Sequence, residues 1–144
     1  MKYFLLLVTL LNVTLFANDI IIKESTKSVD TTIQKIKDIV TKKGLRVFTV
    51  VDHQANAKHI GMQMRSSKLI IFGNPETGTQ LMQQDIVTGV DLPMKILVYQ
   101  DRDKKVKVAY RNGSWLKEEH PLLSDKLVQK IDNALDKITN KAIQ

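Results

Sequence analysis

"MKILVYQDRDKKVKVAY", Met94 to Tyr110, fixes how the sheet of this chain must run. "MKILVYQ" is an apolar run of strand length, "DRDK" at Asp101–Lys104 is a polar turn, and in "KVKVAY" Val106, Val108 and Tyr110 alternate with other residues. Two such runs joined by so short a connection pair as antiparallel neighbours, because a parallel pair would need a crossover of roughly a dozen residues or more. The chain therefore carries a hairpin, and the sheet holding it is mainly antiparallel.

On the N-terminal side, "SKLIIFG" (Ser67–Gly73) reads as a strand bounded by Gly73, Asn74 and Pro75, and "LRVFTVVD" (Leu45–Asp52) reads as another. Further back, "DIIIKEST" (Asp19–Thr26) begins as a β-branched run and reads as the first strand. Between it and Leu45, Ser28 is placed to cap a helix in which Val29, Ile33, Ile36 and Val40 recur at helical spacing, with Lys42 and Lys43 in the last turn and Gly44 beyond. From Ser124 onward Leu127, Val128, Ile131, Leu135, Ile138 and Ala142 mark one face of a long amphipathic helix. Short helices are predicted at His53–Gly61 and in "ETGTQLMQQD", with a break at "TGVDLP". "RNGSWLKEEHP" is predicted to hold about one helical turn, ending near Pro121, with "EEH" as a solvated helix end. The fold class is α+β: a curved, mainly antiparallel sheet in β-α-β(4)-α order, with helices on one face and short inserted helices. The other face of the sheet must then be polar, dimeric or ligand-binding.

A chain of 144 residues with 43% hydrophobic content is expected to build one core, so residues 18–144 form a single domain. "MKYFLLLVTLLNVTLFA" has the layout of a secretory signal peptide: a charge at Lys2, an apolar stretch from Tyr3 to Phe16, and small Ala17 at the cut. Leu15 is large where a small residue is preferred, which leaves retention as an N-terminal anchor the alternative. The expected location is the periplasm or the exterior, with no stable membrane span once residues 1–17 are removed. Removing them takes only Lys2 from the charged residues and lowers the formal net charge from +7 to +6. The lysines are interspersed with acids and read as a solvated surface. Nucleic acid is not the expected partner, since no aromatic residues interleave with a basic stripe. The absence of cysteine excludes disulfides, thiolate nucleophiles and cysteine-based metal sites.

Gly73 and Gly78 have the spacing of a phosphate-binding loop between strand and helix. The chemistry is missing, because Thr79 stands where the lysine should be, Gln80 where the metal-binding hydroxyl should be, and Pro75 removes an N–H. The loop is better read as a corner, with the helix start capped locally. His53, His59, Met62 and Met64 combine imidazole and thioether groups that suit copper, especially Cu(I), although methionine at such spacing also serves as core filler. Asp52, His53, Asp91, Glu118, Glu119 and His120 are available for acid–base chemistry without forming a known catalytic pattern.

"VDHQANA" (Val51–Ala57), "LIIFGNPETGTQLM" (Leu69–Met82) and "DLPMKILVYQD" (Asp91–Asp101) resemble, in order and spacing, the three signature blocks of the DUF302 domain family, whose members are functionally uncharacterised. The resemblance runs from about Asp19 to Ile138 and implies a curved antiparallel sheet similar in outline to TATA-binding-protein-like folds. It draws attention to His53, Gly73, Asn74, Pro75, Gly78, Met82, Asp91, Pro93 and Tyr110, while His59, Met62 and Met64 fall outside the shared pattern. The leading expectation is a non-enzymatic module that binds a small molecule or forms a homodimer, with His53, Gly73, Asn74, Pro75, Gly78, Met82, Asp91 and Tyr110 as its candidate site. The alternative is a metal handler using His53 with Met82, or His59 with Met62. A third reading makes His53 a general base oriented by Asp52 or Asp91. The residues name neither the ligand nor a cofactor.

Overall fold

The computed structural model describes residues 20–144, so the expected signal at residues 1–17 lies outside the described residues. Strands β1 (Ile21–Ser25), β2 (Arg46–Asp52), β3 (Ser67–Gly73), β4 (Met94–Gln100) and β5 (Val106–Tyr110) form one antiparallel sheet in the order β1-β5-β4-β3-β2. The helices are α1 (Val29–Lys42), α2 (His53–His59), α3 (Pro75–Gln84), α4 (Gly113–Glu119) and α5 (Asp125–Ala142), with a 3-10 turn at Ile86–Val90. This is the α+β fold expected from the sequence, with its β4–β5 hairpin in place.

Local chemistry accounts for where the elements begin. The Ser28 hydroxyl accepts the Thr31 N–H at 3.1 Å and starts α1, as its position predicted. Two details differ from expectation. The segment predicted as a break winds into the 3-10 turn, because the Asp85 carboxylate accepts the Val87 N–H at 3.1 Å. The predicted single turn before Pro121 is the seven-residue α4, because Asn112 caps it by accepting the Trp115 N–H at 2.9 Å.

Across β3, β4 and β5, Ile70 faces Ile96 and Ile96 faces Tyr110, and this row, with Phe72, Val98 and Val108, lies on one face of the sheet. All six side chains are buried, in one core with Ile33, Ile36 and Val40 of α1 and Ile131, Leu135 and Ile138 of α5. The helical spacing read from the sequence therefore marks the face each helix turns to the sheet. Polar pins flank this core. Lys23 of β1 donates to Asp136, Thr139 and Asn140 of α5 at 2.6–2.9 Å, and Lys68 of β3 reaches Asp30 at 2.6 Å and Asp52 at 3.1 Å.

The opposite face carries a row through Val51, Leu69, Leu97, Ala109 and Ile22, one residue from each strand. The first four are half-buried and Ile22 is exposed. At the far edge, β2 is broken by a bulge between Val47 and Thr49, which leaves Phe48 exposed.

Helix α4 lies against α5 at Gly113, where an added Cβ would meet the Val128 carbonyl oxygen at 2.5 Å and the Ile131 Cβ at 3.1 Å. At Gly78, inside α3, an added Cβ meets nothing within 4 Å. Gly113→Ala should therefore lower stability by about 1–3 kcal/mol through overpacking. Gly78→Ala should raise it by about 0.5–1 kcal/mol by restricting the unfolded chain. Urea unfolding midpoints moving in these opposite directions would bear out both assignments.

Candidate functional site

The glycine loop between β3 and α3 is closed to anions by its own side chain. Pro75, the first residue of α3, has no N–H to offer. The N–H groups of Glu76 and Thr77 both donate to Asn74 Oδ1, at 2.8 and 3.3 Å, and the Gly78 N–H donates to the Asn74 carbonyl at 2.9 Å. Every amide a phosphate would need at this helix start is already satisfied within the loop.

What the loop does instead is wall a pocket. A cavity of about 410 Å³ opens at one end of the sheet, in the size range of small-molecule sites. Gly73, Asn74, Pro75, Gly78 and Met82 line one side of it. Leu92, Pro93 and Met94, leading into β4, line a second, and Lys130, Ile131, Ala134, Leu135 and Ile138 of α5 a third. Arg46 and Phe48 at the bulged edge of β2 complete the rim, the guanidinium lying 5.0 Å from the Phe48 ring centre. Core residues Phe72, Leu81 and Leu135 reach the cavity, so it is an apolar inlet into the core.

Five of the eight candidate ligand-binding residues, Gly73, Asn74, Pro75, Gly78 and Met82, thus meet at one cavity. The other three lie elsewhere. Tyr110 is buried in the core, its hydroxyl accepting from Thr139 at 3.4 Å. His53 is half-buried at the start of α2 and makes no side-chain hydrogen bond among the described residues. Asp91 closes the 3-10 turn and serves His120.

The acids considered as partners for His53 are occupied. Asp52 accepts the Ala55 N–H at 2.9 Å and pairs with Lys68, which together hold its carboxyl below the usual range, the amide hydrogen bond contributing most. Met82 sits on the pocket wall, its sulfur 3.2 Å from where a Gly89 Cβ would be. His59 and Met62 are exposed around the end of α2. Among the described residues no three His, Asp or Glu side chains gather as metal ligands.

One buried ionisable group is a residue that the sequence reading assigned to solvent. His120 is only 6% exposed. Its Nε2 lies 2.8 Å from Asp91 Oδ2 and its Nδ1 3.3 Å from Asp85 Oδ2. Donating to two carboxylates at once requires a proton on both ring nitrogens, so the charged imidazolium is favoured. The hydrogen bond to Asp91 raises its pKa most, burial opposes this, and Asp85 adds to the rise. Asp85 and Asp91 flank the 3-10 turn, whose Gly89 lines the pocket. The turn leaves Ile86, Val87 and Val90 exposed, at 74%, 59% and 80%. Thr88 alone of the turn is buried, at 0% exposure, so its middle is anchored in the core and the clamp on Asp85 and Asp91 holds its two ends. Only the spacing of Asp85 and Asp91 around a Gly-Val-Asp turn signalled this site.

Comparison with known proteins places these features in a family context. The family model described as "Domain of unknown function DUF302" matches residues 21–138. The fluoride-specific ion channel FluC 1 of Brucella suis biovar 1 (strain 1330) is 41% identical over 99 residues, 69% of this chain and 39% of that protein. FluC 1 of Brucella abortus biovar 1 (strain 9-941) is also 41% identical over 99 residues, 37% of its length. The chain thus spans less than two fifths of the curated relatives it matches. The crystal structure of an uncharacterized conserved DUF302 protein from Bacillus stearothermophilus has the same fold, with a TM-score of 0.71 at 16% identity, covering 88% of this chain and 97% of that one.

The clamp makes stability pH-dependent with a definite sign. A raised folded pKa contributes stability that is complete below the unfolded value, about 6.5, and is lost as pH rises through the folded value. Between pH 5.5 and 9 the unfolding midpoint should fall with rising pH, and His120→Gln should flatten that slope. An unchanged slope in the variant would assign the dependence elsewhere.

Proposed function

This chain belongs to the DUF302 family, and on that footing we propose that its domain is a non-enzymatic, exported binding module that takes a small apolar ligand into the cavity walled by Gly73–Gly78, Met82 and α5. The observation that carries the reading is the cavity itself: about 410 Å³, open, and continuous with the core rather than with a polar constellation. The occupied helix start of α3 argues against a phosphate. The occupied acids Asp52 and Asp91 argue against His53 as a general base. The matching stretch in the Brucella proteins is the smaller part of chains named for fluoride conduction, which supports reading it as a module. The proposal for this chain concerns the pocket and not conduction. Among the described residues no helix is long and apolar enough to cross a membrane. Export rests on Lys2, the apolar run to Phe16, and Ala17.

A second reading rests on the other face of the sheet, where Val51, Leu69, Leu97, Ala109 and Ile22 form an apolar row. Two copies meeting across that row would make a symmetric dimer.

The pocket is tested with Nile red, an uncharged dye whose emission reports an apolar environment. Wild type should bind it, and Ala134→Phe, which places a ring in the cavity mouth from α5, should weaken binding at least about tenfold, or 1.4 kcal/mol, with its melting curve retained. Equal binding by the folded variant would refute the assignment. One native mass spectrum of protein purified from the periplasm tests the rest. A chain starting at Asn18 supports cleavage after Ala17. A dimer that becomes monomeric on Leu97→Glu supports the sheet-face contact, and a monomeric wild type removes it.

A further inference from the structure

The cavity is apolar in depth and cationic at its mouth. Arg46 of β2 and Lys130 of α5 are both exposed and both line it. A second cleft, of about 420 Å³, shares Lys130 and Ala134 with the pocket and adds Lys43, Lys126 and Lys137. None of these five cations lies in a salt bridge among the described residues, whereas Lys23, Lys68 and Lys107, which pin the fold, are each paired with acids. Five cations without a salt-bridge partner among the described residues thus lie beside this apolar inlet.

Resting on the pocket reading above, we propose that the ligand is a single-chain carboxylate of the fatty-acid type, with its chain in the cavity and its carboxylate held at the rim by Arg46 and Lys130. A neutral apolar ligand would leave this charge unused. A phosphate headgroup would want main-chain donors, and those at the start of α3 are taken by Asn74. A carboxylate asks for less. The planar guanidinium offers it two parallel N–H groups, and Arg46 is steadied for that purpose against the Phe48 ring. The neighbouring lysines add long-range attraction that salt weakens.

The test is displacement of Nile red from the full mature chain by hexanoate, octanoate, decanoate and dodecanoate, kept below their micellar range, against decanol as the uncharged control. Decanoate should displace the dye at least tenfold more tightly than decanol. Each added methylene should gain about fourfold, equivalent to about 0.8 kcal/mol, until the cavity is full. Lys130→Gln and the Arg46→Gln/Lys130→Gln pair should weaken decanoate progressively and leave decanol unchanged. Lys130 is exposed, so the single variant remains informative if the pair folds poorly. If decanol and decanoate compete equally and the variants change nothing, the carboxylate is wrong while the pocket survives. If neither displaces dye that Ala134→Phe does exclude, the cavity takes another apolar class and the proposal fails. If wild type binds vesicles of phosphatidylglycerol and phosphatidylcholine through these lysines while decanoate has no effect, the cations serve a bilayer surface instead, and the proposal is overturned.

Discussion

The structure depends on one geometric obligation, that α1 must cross the whole sheet. β1 and β2 are consecutive strands, yet they occupy opposite edges of a five-stranded sheet. Four strand spacings amount to about 19 Å, and the 14 residues of α1 rise about 21 Å, a comparable length. A helix laid across the sheet must be apolar toward it over its full length, which is why Val29, Ile33, Ile36 and Val40 are all buried. It cannot cover the face alone. α5 runs back beside it, its C-terminus bonded to Thr26 through the Ile143 carbonyl and its N-terminal half sharing a cleft with Lys43.

The cavity follows from how that cover ends. α1 and α5 close over the middle of the sheet, but the Gly73 end is walled by the loop into α3, the 3-10 turn and the near flank of α5. Gly73 of β3, Gly78 of α3 and Gly89 of the 3-10 turn meet there, with Ala134 among the residues of the facing helix. Small side chains on converging walls leave a space that the surrounding leucines and isoleucines do not fill. The same region is anchored by His120 as well as by the buried Thr88, so the firmness of one pocket wall is tied in part to an ionisable group.

Local pattern carried much of this. The alternation at Val106, Val108 and Tyr110, the cap at Ser28 and the apolar spacing from Val128 to Ala142 each express a period that the finished element keeps. The pairing of β1 with β5 was not legible, because it joins segments some 85 residues apart with no local signature beyond two β-branched runs. Half of the candidate site could be read, since Gly73, Asn74, Pro75, Gly78 and Met82 fall in one short stretch of sequence. Its other wall, Lys130 and Ala134, comes from a helix whose pattern describes its buried face and not its flank. His120 misled for a related reason. Two glutamates before it and a proline after it look like solvent, and the carboxylates that bury it lie 35 and 29 residues away.

The bulge in β2 bears on how the protein tolerates crowding. An open sheet has two free edges, and each presents unpaired amides and carbonyls to which another chain can add. Here one edge is the five-residue β1, whose Lys23 is bound down onto α5, and the other is a strand whose hydrogen-bonding register slips at Val47 and Thr49. A flat run of donors and acceptors is never offered over more than a few residues at either edge. The irregularity that brings Phe48 and Arg46 to the mouth of the cavity thereby also makes the sheet a poor template for its own extension into fibrils.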